Sequence, residues 1–354
     1  MSANHNRHSY PKIFDPREDA ACLYRACEGH GEGEMIIIEI AGNRTMAQRL
    51  EIRKVFEQTY ETDLTKAIAS KMKGNARFLA VNLFRTPMEL LAHQLYRGLN
   101  ERHSVNTSLL TSILCCCNHI EIHLLGKAYN TLIEETEPRN VHHRTLATDI
   151  ERSLKGSYGL LMDNILRVGR HQDPVEDLKA ARQTGDLSGL IAQGLVEEDV
   201  KALHTAAYGS TTGKRRSLLT PKIPPEARIF ISILTKRSRL HMKAIWEMYK
   251  RKYGMNLVMT ICETFSEPLR TALNTTVMAQ VNLPLLLVCQ LHEAVTSPEV
   301  NESQLIRLIC LHLETDLQQM MEDYQTYFGV PFKEAVRCAT SGAFLKLLLT
   351  LLSR

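Results

Sequence analysis

Apolar residues along this chain recur every three or four positions, which is the spacing of helices that bury one face. One pair of large side chains returns at i, i+4 spacing in four places: Phe56 with Tyr60, Tyr129 with Ile133, Tyr249 with Tyr253, and Tyr324 with Phe328. Side chains four residues apart lie above one another on a helix and pack together. The pattern predicts short amphipathic helices along the whole chain, and therefore an all-α protein.

Other landmarks keep step with these pairs. The first members lie 73, 120 and 75 residues apart, and twelve residues before each of them an apolar segment ends, at Arg44, Cys117, Arg237 and His312. A later landmark precedes the next apolar segment, at Gly74, Gly156, Glu267 and Gly342. This agreement predicts four copies of a unit of about 75 residues. The recurrence of Arg44 and Arg237 indicates a structural ion pair or a helix-end cap.

The landmarks divide the chain into a tail, four repeats and a linker. The tail covers 1–14, repeat 1 covers 15–87, repeat 2 covers 88–168, the linker covers 169–187, repeat 3 covers 188–280 and repeat 4 covers 281–354. Repeat 2 contains a polar insertion at 134–148, and repeat 3 contains a basic insertion at 208–226. Polar residues clustered with Gly and Pro between apolar segments are typical of loops. We therefore expect loops at both insertions and at the linker.

Composition narrows the function classes. The net charge is only +4 for 354 residues and aromatic residues make up 6 %, so binding of nucleic acid is not indicated. The chain has no run of eighteen apolar residues and no apolar leader, which predicts that it neither crosses a membrane nor is secreted. Nine cysteines without a C-x-x-C pair favour reduced, buried thiols in a cytoplasmic protein.

No catalytic arrangement is recognisable. The fourteen histidines form no Ser/His/Asp or Cys/His pattern, and His204 and His292, which fall among apolar residues, suit hydrogen-bonded structural roles. Gly213 and Lys214 follow Gly209, but the spacing does not match a phosphate-binding loop. We expect that the protein is not an enzyme. The basic clusters at 236–239 and 250–252 are interpreted as solvated helix faces.

Several segments resemble the annexin family. One helix corner of the family looks like Asn43-Arg44-Thr45 and Lys236-Arg237-Ser238, and its Tyr-x-x-x-Tyr-Gly segment is similar to 249–254 and 324–329. A later corner resembles Ala339-Thr340-Ser341-Gly342, and the resemblance extends from about residue 15 to the end of the chain. It implies four repeats of about five helices each in a curved disc, and a protein that binds phospholipid membranes.

The calcium-binding residues that the resemblance implies are incomplete. Annexins hold calcium with a glycine-rich loop after the first helix of a repeat and with an acid three residues before a later glycine. Repeat 1 keeps the loop as Glu28, Gly29 and Gly31, whereas Ser104, Pro224 and Glu299 replace the second glycine elsewhere. The acid position holds Lys71, Ser153, Thr264 and Ala339, with Glu263 as a substitute acid beside it in repeat 3. Calcium prefers six to eight oxygen ligands, so we expect weak calcium binding at most and no other cofactor.

The same loops and corners carry the basic residues Lys71, Lys73, Arg152, Lys155, Lys214, Arg215, Arg216 and Lys222. Each Lys or Arg near an anionic leaflet contributes about 1 kcal/mol of binding. We therefore expect a cytoplasmic protein that binds anionic phospholipid surfaces peripherally and needs little calcium. The alternative is an α-helical repeat scaffold that binds a cytoskeletal or other protein through the two insertions.

Overall fold

All regular structure in the described residues is helical. In this computed structural model those residues are 13–29, 32–101, 104–140, 143–209 and 223–354, and they contain 21 α-helices and two short 3-10 helices. The α-helices form four sets of five, with one further helix between the second and third sets. The prediction of an all-α protein built from repeats of five helices is confirmed.

The helix bounds follow the repeats. Repeat 1 contains α1 (Pro16–Glu28), α2 (Gly33–Asn43), α3 (Met46–Tyr60), α4 (Leu64–Lys71) and α5 (Gly74–Leu83). Repeat 2 contains α6 (Pro87–Leu99), α7 (Thr107–Leu114), α8 (His119–Thr136), α9 (Leu146–Ser153) and α10 (Gly156–Arg167), and α11 (Val175–Thr184) lies in the linker. Repeat 3 contains α12 (Gln193–Tyr208), α13 (Pro225–Lys236), α14 (Arg239–Tyr253), α15 (Leu257–Thr264) and α16 (Leu269–Val281). Repeat 4 contains α17 (Leu283–Thr296), α18 (Glu302–His312), α19 (Leu317–Phe328), α20 (Phe332–Ala339) and α21 (Gly342–Leu351).

The helices are grouped in two compact units. Unit 1 combines the chain up to Leu90 with Leu287–Arg354, and unit 2 comprises Leu91–Leu286. Within unit 1, α2 packs on α21, and α5 packs on α18 and α21. Within unit 2, α10 packs on α13 and α16, and α7 packs on α16. In each unit, therefore, the second and fifth helices of two repeats form a shared apolar core.

The recurring rings occupy equivalent places in the third helix of each repeat. The first members, Phe56, Tyr129, Tyr249 and Tyr324, are at most 1 % exposed. Their partners Tyr60, Tyr253 and Phe328 are only half-buried, and a ring from the first helix of the same repeat stacks on each of them. Ring centroids lie 4.0 Å apart for Tyr24 and Tyr60, 3.6 Å for His204 and Tyr253, and 3.7 Å for His292 and Phe328. The pairs seen in the sequence are thus two members of a three-ring cluster.

The recurrent arginines form the predicted structural ion pairs. The Arg44 Nε atom donates to Asp19 Oδ2 at 2.7 Å, and the Arg237 Nε atom donates to Asp199 Oδ2 at 2.6 Å. In repeat 3 the same Asp199 oxygen also lies 2.9 Å from His241 Nε2. Burial alone would raise the pKa of Asp199, but the hydrogen bonds from Arg237 and His241 lower it below its usual value. Each acid lies on the first helix of its repeat, so the pair fixes that helix against the corner that follows the second helix.

The linker is more ordered than a loop. Helix α11 occupies its centre, because Pro174 precedes the first turn, Glu176 and Asp177 lie in that turn, and Gly185 ends the helix at φ +74°. The insertion of repeat 2 is also shorter than 134–148, since α8 continues to Thr136 and a 3-10 turn covers Pro138–Asn140. Residues 210–222, most of the insertion in repeat 3, lie outside the described residues.

None of the nine cysteines forms a disulfide, and few of them are buried. Cys115 is the one in the buried class. Burial raises its pKa to about 12. Cys262, Cys289 and Cys338 are exposed, so the expectation of a generally buried set of cysteines was wrong. They lie at solvent-facing positions of α15, α17 and α20, where the side chain takes no part in the core.

Candidate functional site

In repeat 1 the residue at the acid position is a lysine, and its side chain reaches the glycine-rich loop. Helix α1 ends at Glu28, and the Gly29 N–H caps it by donating to Arg25 O at 2.9 Å. Helix α4 ends at Lys71, whose ammonium donates a hydrogen bond to the Gly29 carbonyl oxygen. The Gly29 carbonyl, which the resemblance implies as a calcium ligand, therefore accepts a hydrogen bond from the Lys71 ammonium in this chain. Gly31 lies outside the described residues.

A glycine at the start of α2 makes room for this lysine. A Cβ atom built on Gly33 would lie 2.2 Å from Ala26 O and 2.8 Å from Lys71 Cε, so no larger residue fits without displacing the chain. The Lys71 charge also acts on Cys27 at the end of α1. Burial raises the pKa of the Cys27 thiol to about 11, although Lys71 opposes the rise. Glu28 itself is exposed, and its side chain forms no hydrogen bond or ion pair with the described residues.

In repeat 3 the substitute acid is bound to a tyrosine. The Tyr208 hydroxyl donates to Glu263 Oε2 at 2.7 Å, which joins the end of α12 to the end of α15. Burial and this hydrogen bond both raise the pKa of Tyr208. Thr264, at the acid position, donates to the carbonyl of Thr260 at 2.7 Å. The corner thus brings one carboxylate and one phenol together, which is fewer anionic ligands than calcium sites usually contain.

The remaining repeats contribute no carboxylate at the acid position. Ser153 is exposed at the end of α9, and Ala339 ends α20. Ser104 and Glu299 lie before α7 and α18 as the sequence places them. In the part of the chain that the structure describes, no group of three or more His, Cys, Asp or Glu residues is placed to hold a metal ion.

The basic residues differ in how their side chains are engaged. Lys73 and Lys155 are exposed at equivalent N-cap positions, each directly before a glycine in the left-handed region, Gly74 at φ +56° and Gly156 at φ +66°. The Lys155 ammonium donates to the Glu151 carbonyl at 2.8 Å. Arg152 is 64 % exposed, with Nη1 3.7 Å from Asp149 Oδ1. Lys214, Arg215, Arg216 and Lys222 lie outside the described residues.

Sequence reasoning missed two kinds of contact. Tyr208 was not recognised as the partner of Glu263, because 55 residues and the basic insertion separate them. The stacking rings Tyr24, His204 and His292 were not recognised as parts of the recurring cluster. Their signal was present, since each lies 32 residues before a buried ring in repeats 1 and 4 and 45 residues before it in repeat 3, where the insertion intervenes.

The described helices include none that is both long and apolar enough to cross a membrane.

Comparison with known proteins points to one family. The family model described as Annexin matches residues 18–83, 226–275 and 288–351, which lie in repeats 1, 3 and 4. The chain is 29 % identical over 341 residues to Annexin A13 of Schistosoma japonicum, covering 96 % of this chain and 91 % of that protein. It is 28 % identical over 351 residues to Annexin A13 of Mus musculus, covering 98 % and 99 % of the two chains.

Solved structures agree in fold. Annexin A8 with an intact N-terminus aligns with a TM-score of 0.80 at 24 % identity, over 97 % of this chain and 96 % of that chain. A calcium-bound annexin, (Sm)1, aligns with a TM-score of 0.77 at 24 % identity, over 96 % and 90 % of the two chains. At this identity the likeness concerns the helical architecture and not the chemistry of the loops.

Proposed function

This chain belongs to the annexin family, and from that premise we propose that it binds anionic phospholipid membranes peripherally in the cytoplasm with little dependence on calcium. Annexins are phospholipid-binding proteins, in general without enzymatic activity, and calcium mediates that binding in the family. The proposal concerns how this member departs from that behaviour. Its basis is the chemistry at the loop of repeat 1 and at the corners that follow the fourth helix of each repeat.

The contact between Lys71 and Gly29 carries the proposal. A calcium ion held by the Gly29 carbonyl would have to share that oxygen with the Lys71 ammonium, which is already bound to it. Two like charges about 4 Å apart repel by several kcal/mol at an effective dielectric constant of about 20. The family's carboxylate would lower the net charge at this point, whereas the lysine raises it. Repeat 1, which keeps most of the loop sequence, therefore supplies a cation of its own.

The other repeats support the same conclusion. Glu263 is the one acid beside an acid position, and its Oε2 already accepts from Tyr208. Ser153, Thr264 and Ala339 bring no negative charge to the acid positions. A divalent cation that meets mainly neutral oxygens is held weakly, because charge compensation from carboxylates sets much of the affinity.

Attraction to anionic lipid then rests on the basic residues. Lys73, Arg152 and Lys155 project from corners in repeats 1 and 2, and we assign the same role to Lys214, Arg215, Arg216 and Lys222 of the insertion. At about 1 kcal/mol for each engaged residue, four or five of them give useful binding that weakens as salt is added. The Lys71 ammonium, bound to Gly29, contributes less to this attraction.

Co-sedimentation with vesicles of phosphatidylserine and phosphatidylcholine tests the proposal directly. We expect the parent to sediment equally in about 1 mM calcium and in chelator, with binding that falls as salt rises. Lys71→Glu removes the internal cation and places a carboxylate at the acid position. This variant should gain calcium-dependent binding, which calorimetry with calcium in the absence of lipid would detect independently.

Lys73→Glu is the matched control. It makes the same change of charge two residues away, at an exposed side chain that has no contact with the Gly29 carbonyl. It should weaken vesicle binding slightly and gain no calcium affinity. A parent that sediments with vesicles only when calcium is present would overturn the proposal. So would a parent that binds several calcium ions in the calorimeter.

A further inference from the structure

On one helix of repeat 3, three basic residues and a tryptophan lie in a row along the helix axis. On α14, Arg239, Lys243, Trp246 and Lys250 follow one another at steps of four, three and four residues, so they lie on one stripe of the helix surface. The three basic side chains are exposed and the Trp246 ring is half-buried. From first to last the stripe extends about 16 Å along the helix axis. We call these four residues the basic stripe.

Positive charge on α14 greatly exceeds negative charge. Among the described residues, Lys243 and Lys250 form no ion pair, and Arg239 donates from Nε to the neutral Gln280 carbonyl at 3.2 Å. Glu247 is the single acid on α14, against five basic residues that also include Arg251 and Lys252. Unpaired cations grouped on one face create a local positive potential that attracts anionic surfaces.

Helix α14, which carries the basic stripe, is fixed by its packing and by its caps. The neighbouring face of α14 buries Met242, Ile245 and Tyr249, and the helix packs on α12 and α16. Ser238 caps the first turn by accepting from the His241 N–H, and Gly254 ends the helix at φ +73°. The backbone that carries the basic stripe is thus fixed before any ligand binds. Binding would therefore cost little backbone entropy.

The fold does not require this stripe. At the places of Arg239, Lys243 and Lys250, the third helix of repeat 1 has Met46, Leu50 and Glu57, and that of repeat 2 has His119, His123 and Asn130. In repeat 4 the same register gives Glu314, which lies before α19, and then Gln318 and Gln325 within it. Four helices of the same role therefore differ sharply in charge. A property confined to one of them serves something other than packing.

We propose that the basic stripe of α14 is a second contact for anionic membrane surfaces, resting on the membrane binding proposed above and extending it to a helix outside the loops and corners. A row of cations along one side of a helix suits a flat array of phosphate and carboxylate headgroups. Lysine and arginine stems next to a tryptophan are the composition of helices that lie at a membrane interface, where the indole ring sits at headgroup level. The ring in the middle of the stripe favours a lipid surface over a soluble polyanion.

Trp246 makes the test direct, since it is the only tryptophan in the 354 residues. Its fluorescence is recorded while vesicles of phosphatidylserine and phosphatidylcholine are added to the full chain in chelator. We expect a blue shift of the emission and protection from a water-soluble quencher, because the ring leaves water. Bromine-labelled lipid should quench it. Vesicles of phosphatidylcholine alone should leave the spectrum unchanged.

The double variant Lys243→Glu, Lys250→Glu should reduce the affinity for anionic vesicles about tenfold and abolish the blue shift. Its control is Lys54→Glu, Lys201→Glu, which makes the same change of charge at two exposed lysines without ion pairs in the described residues. The control should bind within about twofold of the parent. Circular dichroism establishes that both variants keep their helices.

The outcomes separate this inference from the proposed function. A parent that sediments with anionic vesicles while the Trp246 emission stays fixed overturns the role of α14 and leaves membrane binding intact. A parent that binds no vesicles overturns both. Heparin or an oligonucleotide that shifts the emission, where vesicles do not, would identify a soluble polyanion as the ligand and overturn the assignment to membranes.

Discussion

Repeats 1 and 3 carry opposite charges at one corner of the same architecture. In repeat 1 the Lys71 ammonium, at the end of the fourth helix, donates a hydrogen bond to the Gly29 carbonyl. In repeat 3 the Glu263 carboxylate, near the end of the fourth helix, accepts one from the Tyr208 hydroxyl. Both contacts join the end of the fourth helix to the end of the first. The comparison teaches that a fixed helical frame tolerates either sign of charge at its loop end, since the frame is held elsewhere.

What holds the frame is alike in both repeats. Each has an Asp on the first helix paired with an Arg after the second, and each has a third ring stacked on the recurring pair. The degree of burial differs, however. The side chains of Arg44 and Asp19 are 6 % and 0 % exposed, and those of Arg237 and Asp199 are 29 % and 6 % exposed. The same ion pair is therefore under different dielectric conditions in the two repeats.

The largest expected effect comes from breaking the more buried pair. Arg44→Met leaves Asp19 as an uncompensated buried charge, so it should lower the free energy of unfolding of its unit by about 3–5 kcal/mol. Arg237→Met should cost less, because solvent reaches the Arg237 side chain and His241 still contacts Asp199. Urea unfolding of the two variants, followed by circular dichroism, measures the difference.

The chain itself supplies the control for this comparison. At the positions of Asp19 and Arg44, repeat 2 has Leu91 and Cys117, and repeat 4 has Leu287 and His312. The double variant Asp19→Leu, Arg44→Met should therefore be more stable than Arg44→Met alone, since no charge remains unpaired. Equal losses for the single and the double variant would mean that packing around Arg44, and not the charge of Asp19, sets its contribution.

The helical repeat could be predicted from the sequence better than the side-chain contacts between its helices. The recurring rings and the arginines Arg44 and Arg237 could be recognised because the twelve residues between arginine and ring are the same in repeats 1 and 3. Asp19 and Asp199 were not named as the partners, since the insertion changes their distance to the arginine from 25 to 38 residues. The helix at Val175–Thr184 was missed because its charged, weakly apolar sequence looks like a loop until Pro174 and Gly185 are read as helix-end signals.

The third ring gives the next effect, one that depends on pH. Burial, with a smaller contribution from Lys252, lowers the pKa of His204, which stacks on Tyr253. The unfolded chain therefore binds this proton first as the pH falls below about 6.5. Stability from the neutral ring is complete above that pH and is lost as the pH falls through the lower pKa of the folded state. Unfolding midpoints measured from pH 7.5 down to about pH 5 should reveal the loss.

Tyrosine is the residue that repeat 1 uses at this place, as Tyr24. The variant His204→Tyr should keep the stack and remove this part of the pH dependence, while the other histidines titrate as in the parent. The loss should also be smaller than that of Arg44→Met, because His204 is only partly buried. A variant whose midpoint falls with pH as steeply as the parent's would show that His204 does not sense the change.

The smallest effect concerns the corner of repeat 3. Tyr208→Phe removes the hydrogen bond to Glu263 and should lower the free energy of unfolding by no more than about 1 kcal/mol, since the carboxylate is exposed and water replaces the donor. The variant also frees the single carboxylate beside an acid position. Because one carboxylate among neutral oxygens compensates little of a divalent charge, calorimetry should detect no new calcium binding. A clear gain would instead identify Tyr208 as the group that blocks a calcium ligand, and the two corners would then differ in kind: repeat 1 closed by an internal cation, and repeat 3 by a hydrogen bond that calcium can displace.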